Sequence, residues 1–266
     1  MNKIPCTVEI LTRNSAQTLR RCLESVKDFA EILILDGNST DATRAIAEKY
    51  DCRIIKQYDT DEPNIAIKDY SEVRNKGLRL ARYAWFMFID SDEYLSKEAV
   101  EEIRSVVANP NPSAYVWWQP RKYVLGGRVI ECATTYPNRQ IRFFHRGRVK
   151  EFIRPIHERI GVKPGVPTSI LRNYEYVPLG LKAELAARWR RYTYIEAAMQ
   201  RATSPAKLLR LAFGQKILFL FYFMRFLRNI LFCRGTRLPL SYEWTRHKYL
   251  FILSWLLFRQ AIKNLG

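Results

Sequence analysis

The run Trp85-Phe86-Met87-Phe88-Ile89 ends in Asp90-Ser91-Asp92-Glu93, so a continuous apolar segment that reads as a buried strand terminates in three carboxylates. Acidic side chains crowded at a strand end repel one another unless a cation neutralises them. A hard-oxygen site of this kind suits Mg2+ or Mn2+ carrying a substrate phosphate. The competing reading is a solvated turn that opens the next helix, with Ser96 as N-cap and Glu98 in the first turn.

Positioning such a site requires strands that end in one crevice, and the preceding residues supply them. Val8 to Leu11 reads as a strand, Ser15 to Val26 as an amphipathic helix, and Glu31 to Leu35 as a second strand running into Asp36-Gly37-Asn38-Ser39-Thr40-Asp41. A helix from Ala42 to Lys49 follows, and another is expected over Glu72 to Tyr83, with Arg74 in its first turn. Alternating strands and helices imply an α/β fold with a mostly parallel sheet. Ligands bind at the carboxyl ends of such strands, where Asp36 and Asp90 both fall. Further on, Tyr115 to Trp118 and Ile141 to Phe144 read as strands, and Gly126-Gly127 between Val124 and Val129 as a hairpin turn.

Thr12-Arg13-Asn14, Cys22-Leu23-Glu24-Ser25, Asp36 to Asp41, Arg74-Asn75-Lys76-Gly77 and Asp90 to Glu93, in that order, resemble the motif series of family 2 glycosyltransferases. The resemblance covers residues 4 to 160. It implies a GT-A fold, a nucleotide-sugar donor (a UDP-hexose by that likeness), Mn2+ or Mg2+, and inversion at the anomeric carbon. Within the family the chain is similar to bacterial enzymes that act on the lipopolysaccharide core or on other lipid-linked acceptors. By resemblance, Asp36 recognises the base with Thr12 beside it, and Arg74 contacts the pyrophosphate or base. Asp90 and Asp92 form the DxD-type motif, with Asp92 on the metal. Arg142, in the late segment Tyr136 to Phe144, belongs to the donor side. In Ile156-His157-Glu158, Glu158 is the expected catalytic base and His157 a third metal or diphosphate ligand. The Glu-Asp pair that carries the base in many relatives is missing between residues 103 and 266, and Glu93 is the competing base.

Net charge divides the chain. Residues 1–110 carry net −3 and residues 111–266 net +21, together the +18 of the whole. The basic half calls for an acidic partner, either nucleic acid or an anionic membrane. Lys216 to Cys233 and Tyr249 to Phe258 interleave aromatics and leucines with Arg and Lys. That pattern fits helices lying in a membrane interface better than spanning ones. Alternatives are a packed helical hairpin or a homo-oligomer contact. The expected organisation is a catalytic domain over 1–178 and a basic helical region over 179–266, with helix from Glu184 to Met199 and a break at Ser204-Pro205.

Five scattered cysteines, odd in number, lack any CxxC spacing. With no secretory signal, they read as reduced thiols of a cytoplasmic enzyme, peripheral on the inner face of the plasma membrane. A nucleic-acid-binding protein would explain the charge but not the acidic strand ends, and no helix-turn-helix, zinc-finger or RNP-like pattern occurs, so a nucleic-acid partner is not expected. A nucleotidyltransferase would also need carboxylates and a metal, but the glycine-rich loop it would typically show near the N-terminus is not found.

Overall fold

The structure, a computed structural model, describes residues 2–155 and 158–265. Its first half alternates β1 (Ile4–Thr12), α1 (Ala16–Val26), β2 (Phe29–Asp36), α2 (Thr43–Glu48), β3 (Arg53–Lys56), α3 (Tyr70–Leu80), β4 (Trp85–Asp90), β5 (Tyr94–Leu95) and α4 (Lys97–Ala108). The chain continues through β6 (Val116–Leu125), β7 (Arg128–Val129), β8 (Asn138–His145), β9 (Val149–Ile153), β10 (Arg159–Val162), β11 (Thr168–Ile170) and β12 (Glu175–Pro178). It closes with α5 (Lys182–Met199), α6 (Pro205–Phe232) and α7 (Leu240–Lys263).

The principal sheet runs β3-β2-β1-β4-β8-β6-β12-β5. Its first four strands are parallel; β8 joins β4, and β6 joins β8, antiparallel. Strand order reverses direction between β1 and β4, and β1 ends in register with both neighbours, Thr12 beside Asp36 and Leu11 beside Asp90. That reversal is the switch point at which a crevice opens in an open α/β sheet. The mostly parallel α/β architecture expected from the alternation is the one that forms.

Both faces of the parallel strands are covered, which explains their near-continuous apolar sequences. On one face Val8, Ile10, Met87, Ile89 and Phe143 share a core with Leu19, Cys22, Leu23 and Val26 of α1, spaced as one helical stripe, and with Ala99 and Ile103 of α4. The opposite face carries Phe86, Phe88 and Phe144 in a second core, with Phe152 of β9 set edge-on to Phe88. Ser96 does cap α4, its hydroxyl accepting from Ala99 N, so the acidic strand end also serves as the helix entry.

Two compact units emerge. One holds the residues up to Lys122 with Pro137–Val177; the other holds Tyr123–Tyr136 with the chain from Pro178 on. Residues 123–136, expected in the catalytic domain, thus group with the helices. Glu243 explains this, because its buried carboxylate accepts from both Thr134 N and Thr134 Oγ1. Cys132 and Cys233 are disulfide-bonded, with Cα atoms 6.4 Å apart, which corrects the expectation that all five thiols are reduced. Their separation of 101 residues left no local pattern to read. The expected hairpin turn forms, with Val124 opposite Val129 and positive φ at Gly126 and Gly127.

Candidate active site

The motifs at the ends of β1 and β2 are laced together. Asp36, only 2% exposed, accepts from Thr12 Oγ1 at 2.7 Å, Ser39 N at 2.9 Å and Ser39 Oγ at 2.6 Å. Asn14 donates its N–H to Ser39 Oγ and accepts from Thr40 N, while Ala16 N donates to Asp41. Gly37 is required by a close approach: a Cβ there would lie 2.7 Å from Ile65 O. Asp36 and Thr12, both expected at the donor base, therefore sit together and shape this loop through their mutual hydrogen bond.

The segment Arg74-Asn75-Lys76-Gly77 ties three parts of the unit together. Asp69 caps α3 by accepting from Ser71 N and Glu72 N, which starts the helix at Tyr70, two residues earlier than expected. Arg74 is completely buried, with Nη1 donating to Glu9 at 2.9 Å, Nη2 to Asp90 at 2.7 Å, and Nε 3.6 Å from Glu158. Asn75 exchanges two hydrogen bonds with the backbone of Phe152. Lys76 reaches Lys56 O, and Gly77 leaves room for the Glu9 side chain. In this geometry the two terminal nitrogens that were expected to contact the pyrophosphate or base are engaged by the buried Glu9 and the part-exposed Asp90. Arg74 holds Asp90 and Glu158 in one place.

Arg142 makes the matching contact from β8. Its Nη2 lies 3.2 Å from Asp90 and 3.0 Å from Glu93, and 3.7 Å from Glu175. Arg121 of β6 bonds Glu93 and, at 3.1 Å, Glu175. The guanidinium carbons of Arg74 and Arg142 lie 4.5 and 4.6 Å from the Phe88 ring centroid, so one aromatic ring supports both cations. The result is a chain in which carboxyl and guanidinium groups alternate, mostly buried: Glu9, Arg74, Asp90, Arg142, Glu93, Arg121, Glu175.

The acids in that chain differ sharply. Burial works against ionising Asp90, but Arg142, Arg74 and Arg121 outweigh it and hold the carboxyl well below the usual carboxylate range. Its side chain is 43% exposed, so a permanent anion faces the crevice at the end of β4. Burial pushes Glu93 well above the usual range despite Arg121 and Arg142. Glu93 is also only 3% exposed, whereas a base must reach the acceptor hydroxyl. Burial likewise raises Glu9 to about 7, against the pull of Arg74. Glu175 is held low, the burial penalty being overcome by Arg142 and Arg121.

Glu158 stands immediately before β10, and its side chain is 17% exposed, so it alone of the two expected bases is accessible. His157 lies outside the described residues. Among the described residues no group of three His, Cys, Asp or Glu side chains could enclose a metal. Asp92, half-buried two residues beyond Asp90, fits the other arrangement, in which one or two carboxylates hold a hard cation that arrives with substrate phosphates.

Glu9, Arg121 and Glu175 were missed from the sequence. A glutamate inside the apolar run Thr7-Val8-Glu9-Ile10-Leu11 was the available signal, because a charge in a doubly covered strand needs a buried partner. Arg121 and Glu175 offered none, since their pairing depends on β6 and β12 being neighbours.

Comparison with known proteins bears on this geometry. The family model described as glycosyl transferase family 2 matches residues 7–175. The chain is 38% identical over 107 residues to the prophage-derived glycosyltransferase SunS of Bacillus subtilis, covering 38% of this chain and 23% of SunS. It is 26% identical over 163 residues to the lipopolysaccharide core biosynthesis glycosyltransferase LpsC of Rhizobium meliloti, covering 59% of this chain and 57% of LpsC. A solved structure of S. aureus TarS in complex with UDP-GlcNAc is similar at 20% identity with a TM-score of 0.49, covering 68% of this chain and 59% of that one. The match thus spans under two thirds of each of these proteins. With a family match over most of the chain, covering every described residue of the charged network, the nucleotidyltransferase alternative falls away. This chain belongs to the family 2 glycosyltransferases.

Proposed function

We propose that the chain transfers a hexose from a UDP-sugar, with inversion, to a lipid-linked or lipopolysaccharide-core acceptor at the cytoplasmic face of the inner membrane. The observation that carries this reading is Asp90: an acid kept ionised by two buried arginines, exposed at the carboxyl end of a central strand. The UDP-hexose and the inversion come from the family resemblance, and the acceptor from the likeness to LpsC, whose name places it in lipopolysaccharide core biosynthesis.

Asp92, with His157, would hold Mn2+ or Mg2+, which when bound offsets the charge of the departing diphosphate. The chain's own residues do the rest. Asp90 orients the donor, fixed on both sides by Arg74 and Arg142. Thr12, Asp36 and the Gly37–Asp41 loop form the donor-side wall. Glu158 takes the acceptor hydroxyl proton, held beside the Arg74 guanidinium at 3.6 Å.

A panel of nucleotide sugars assayed with lipopolysaccharide-core and lipid-linked acceptors, with binding followed by calorimetry, tests the reading. Selective UDP-hexose binding and transfer to one of those acceptors is the expected outcome. Transfer only to a soluble peptide or small molecule would overturn the acceptor, and preference for a non-UDP donor would overturn the nucleotide.

A further inference from the structure

The helices α5, α6 and α7 pack one side of themselves against one another. Leu208 and Ala212 of α6 pack with Leu250, Leu253, Leu257 and Ala261 of α7, and Ser254 Oγ donates to Ala212 O at 2.9 Å. Trp189 of α5 meets Tyr249 of α7, and the Arg246 guanidinium lies over both Trp189 and Tyr222. These contacts account for the inward residues and leave a second set unused.

On the outside of α6, Phe213, Ile217, Leu220, Met224, Leu227 and Leu231 are all exposed, at spacings of 4, 3, 4, 3 and 4 that keep them on one line along the helix. Phe221, Phe223 and Ile230 widen that line. On α7, Trp244, Phe251, Trp255 and Ile262 are exposed in the same way. Apolar faces of this extent mark an interaction surface.

Charge selects the occupant. From Pro205 to Leu265 the chain has eleven Lys and Arg but a single acid, Glu243, which is buried on Thr134. A second copy meeting it face to face would bring the same basic surface, with no exposed acid from this region to meet it. A coiled-coil seam would be narrower and flanked by opposite charges, whereas here Phe221, Phe223 and Ile230 occupy the flanks. Nucleic acid would answer the charge and leave the apolar line in water. A bilayer with anionic headgroups answers both. Among the described residues no helix is long and apolar enough to cross a membrane, so the helices would lie on it.

We propose that the outward faces of α6 and α7 dock on a bilayer containing anionic lipid, with their apolar side chains inserted at the headgroup level and Lys207, Arg210, Lys216, Arg228 and Lys248 against lipid phosphate. This surface is independent of the sugar chemistry. Vesicle flotation of the full chain tests it, using phosphatidylcholine alone and phosphatidylcholine with one quarter phosphatidylglycerol, with tryptophan emission as a second readout. The protein floats with the anionic vesicles, its emission shifts to the blue, and binding weakens as salt rises.

Leu220→Gln with Met224→Gln weakens partitioning by about tenfold or more. Neutralising Arg210, Lys216 or Arg228 weakens it about fivefold each. Both sets keep the wild-type thermal melt and donor hydrolysis. Flotation that ignores lipid charge and salt overturns the proposal. So does failure to float combined with a concentration-dependent dimer or with a shift of RNA. So does undiminished flotation of the folded Leu220→Gln, Met224→Gln protein.

Discussion

Replacing Gly77 by alanine should destabilise the protein although it improves the helix. In α3 an ideal Cβ at this position would stand 2.7 Å from Glu9 Cδ and 3.1 Å from Glu9 Cγ, and within contact distance of Oε1. Either α3 lifts from the sheet or the carboxylate moves off Arg74. Overpacking of this kind costs about 1–3 kcal/mol, and breaking a buried ion pair about 3–5 kcal/mol. The helix-propensity gain of alanine over glycine is about 1 kcal/mol. The cheaper route lies at the upper end of its range because the overlap is deep, so the net loss is about 2 kcal/mol or more. Gly214 in α6 is the internal control, since a Cβ there would meet nothing within 4 Å and Gly214→Ala should gain about 1 kcal/mol. Urea denaturation at pH 7 reads both. Equal gains in the two variants would refute the claim that α3 is seated on the Glu9 carboxylate.

Arg142→Met removes the shared partner of Asp90 and Glu93 and should cost about 3–5 kcal/mol, read from the same urea midpoints; a loss below about 1 kcal/mol contradicts a buried pair. Glu9 titrates at about 7 rather than 4.5, so the folded state binds the extra proton and stability falls as pH rises from about 4.5 to 7. Glu9→Gln should abolish that contribution, about 3 kcal/mol across the window, and identical pH–stability curves for the two proteins would count against it. Glu158→Gln should lower kcat strongly while donor affinity holds, whereas weaker donor binding at constant kcat would move Glu158 to the donor side. Asp92→Asn, or EDTA reversed by Mn2+ or Mg2+, should stop transfer with the fold intact, and undiminished turnover would exclude the metal role.

The elements that position the site were legible because they rest on local signals. The strand ending in Asp90 was bounded by its apolar run, and the helix after Ser15 by its stripe of Leu19, Cys22, Leu23 and Val26. The short β3 was missed because Arg53-Ile54-Ile55-Lys56 shows neither alternation nor length. Arg74 was found and its neighbours were not. A motif marks a position, but which carboxylates meet it is decided by strand order, and Glu9 is 65 residues away in sequence. That Glu93 is sealed while Asp92 beside it is half-buried depends on tertiary packing, which Asp92-Glu93 as a dipeptide does not disclose. The grouping of residues 123–136 with the helices depends on Glu243 and Cys233, both about a hundred residues downstream.

The most direct measurement follows the anomeric proton by NMR while the protein, with Mn2+ or Mg2+, converts an α-configured UDP-hexose in the presence of a lipopolysaccharide-core or lipid-linked acceptor. The predicted result is release of UDP with a β-linked product, absent in Asp92→Asn. An α-linked product, or a donor panel left unconsumed by the folded wild-type protein with those acceptors, would contradict the account.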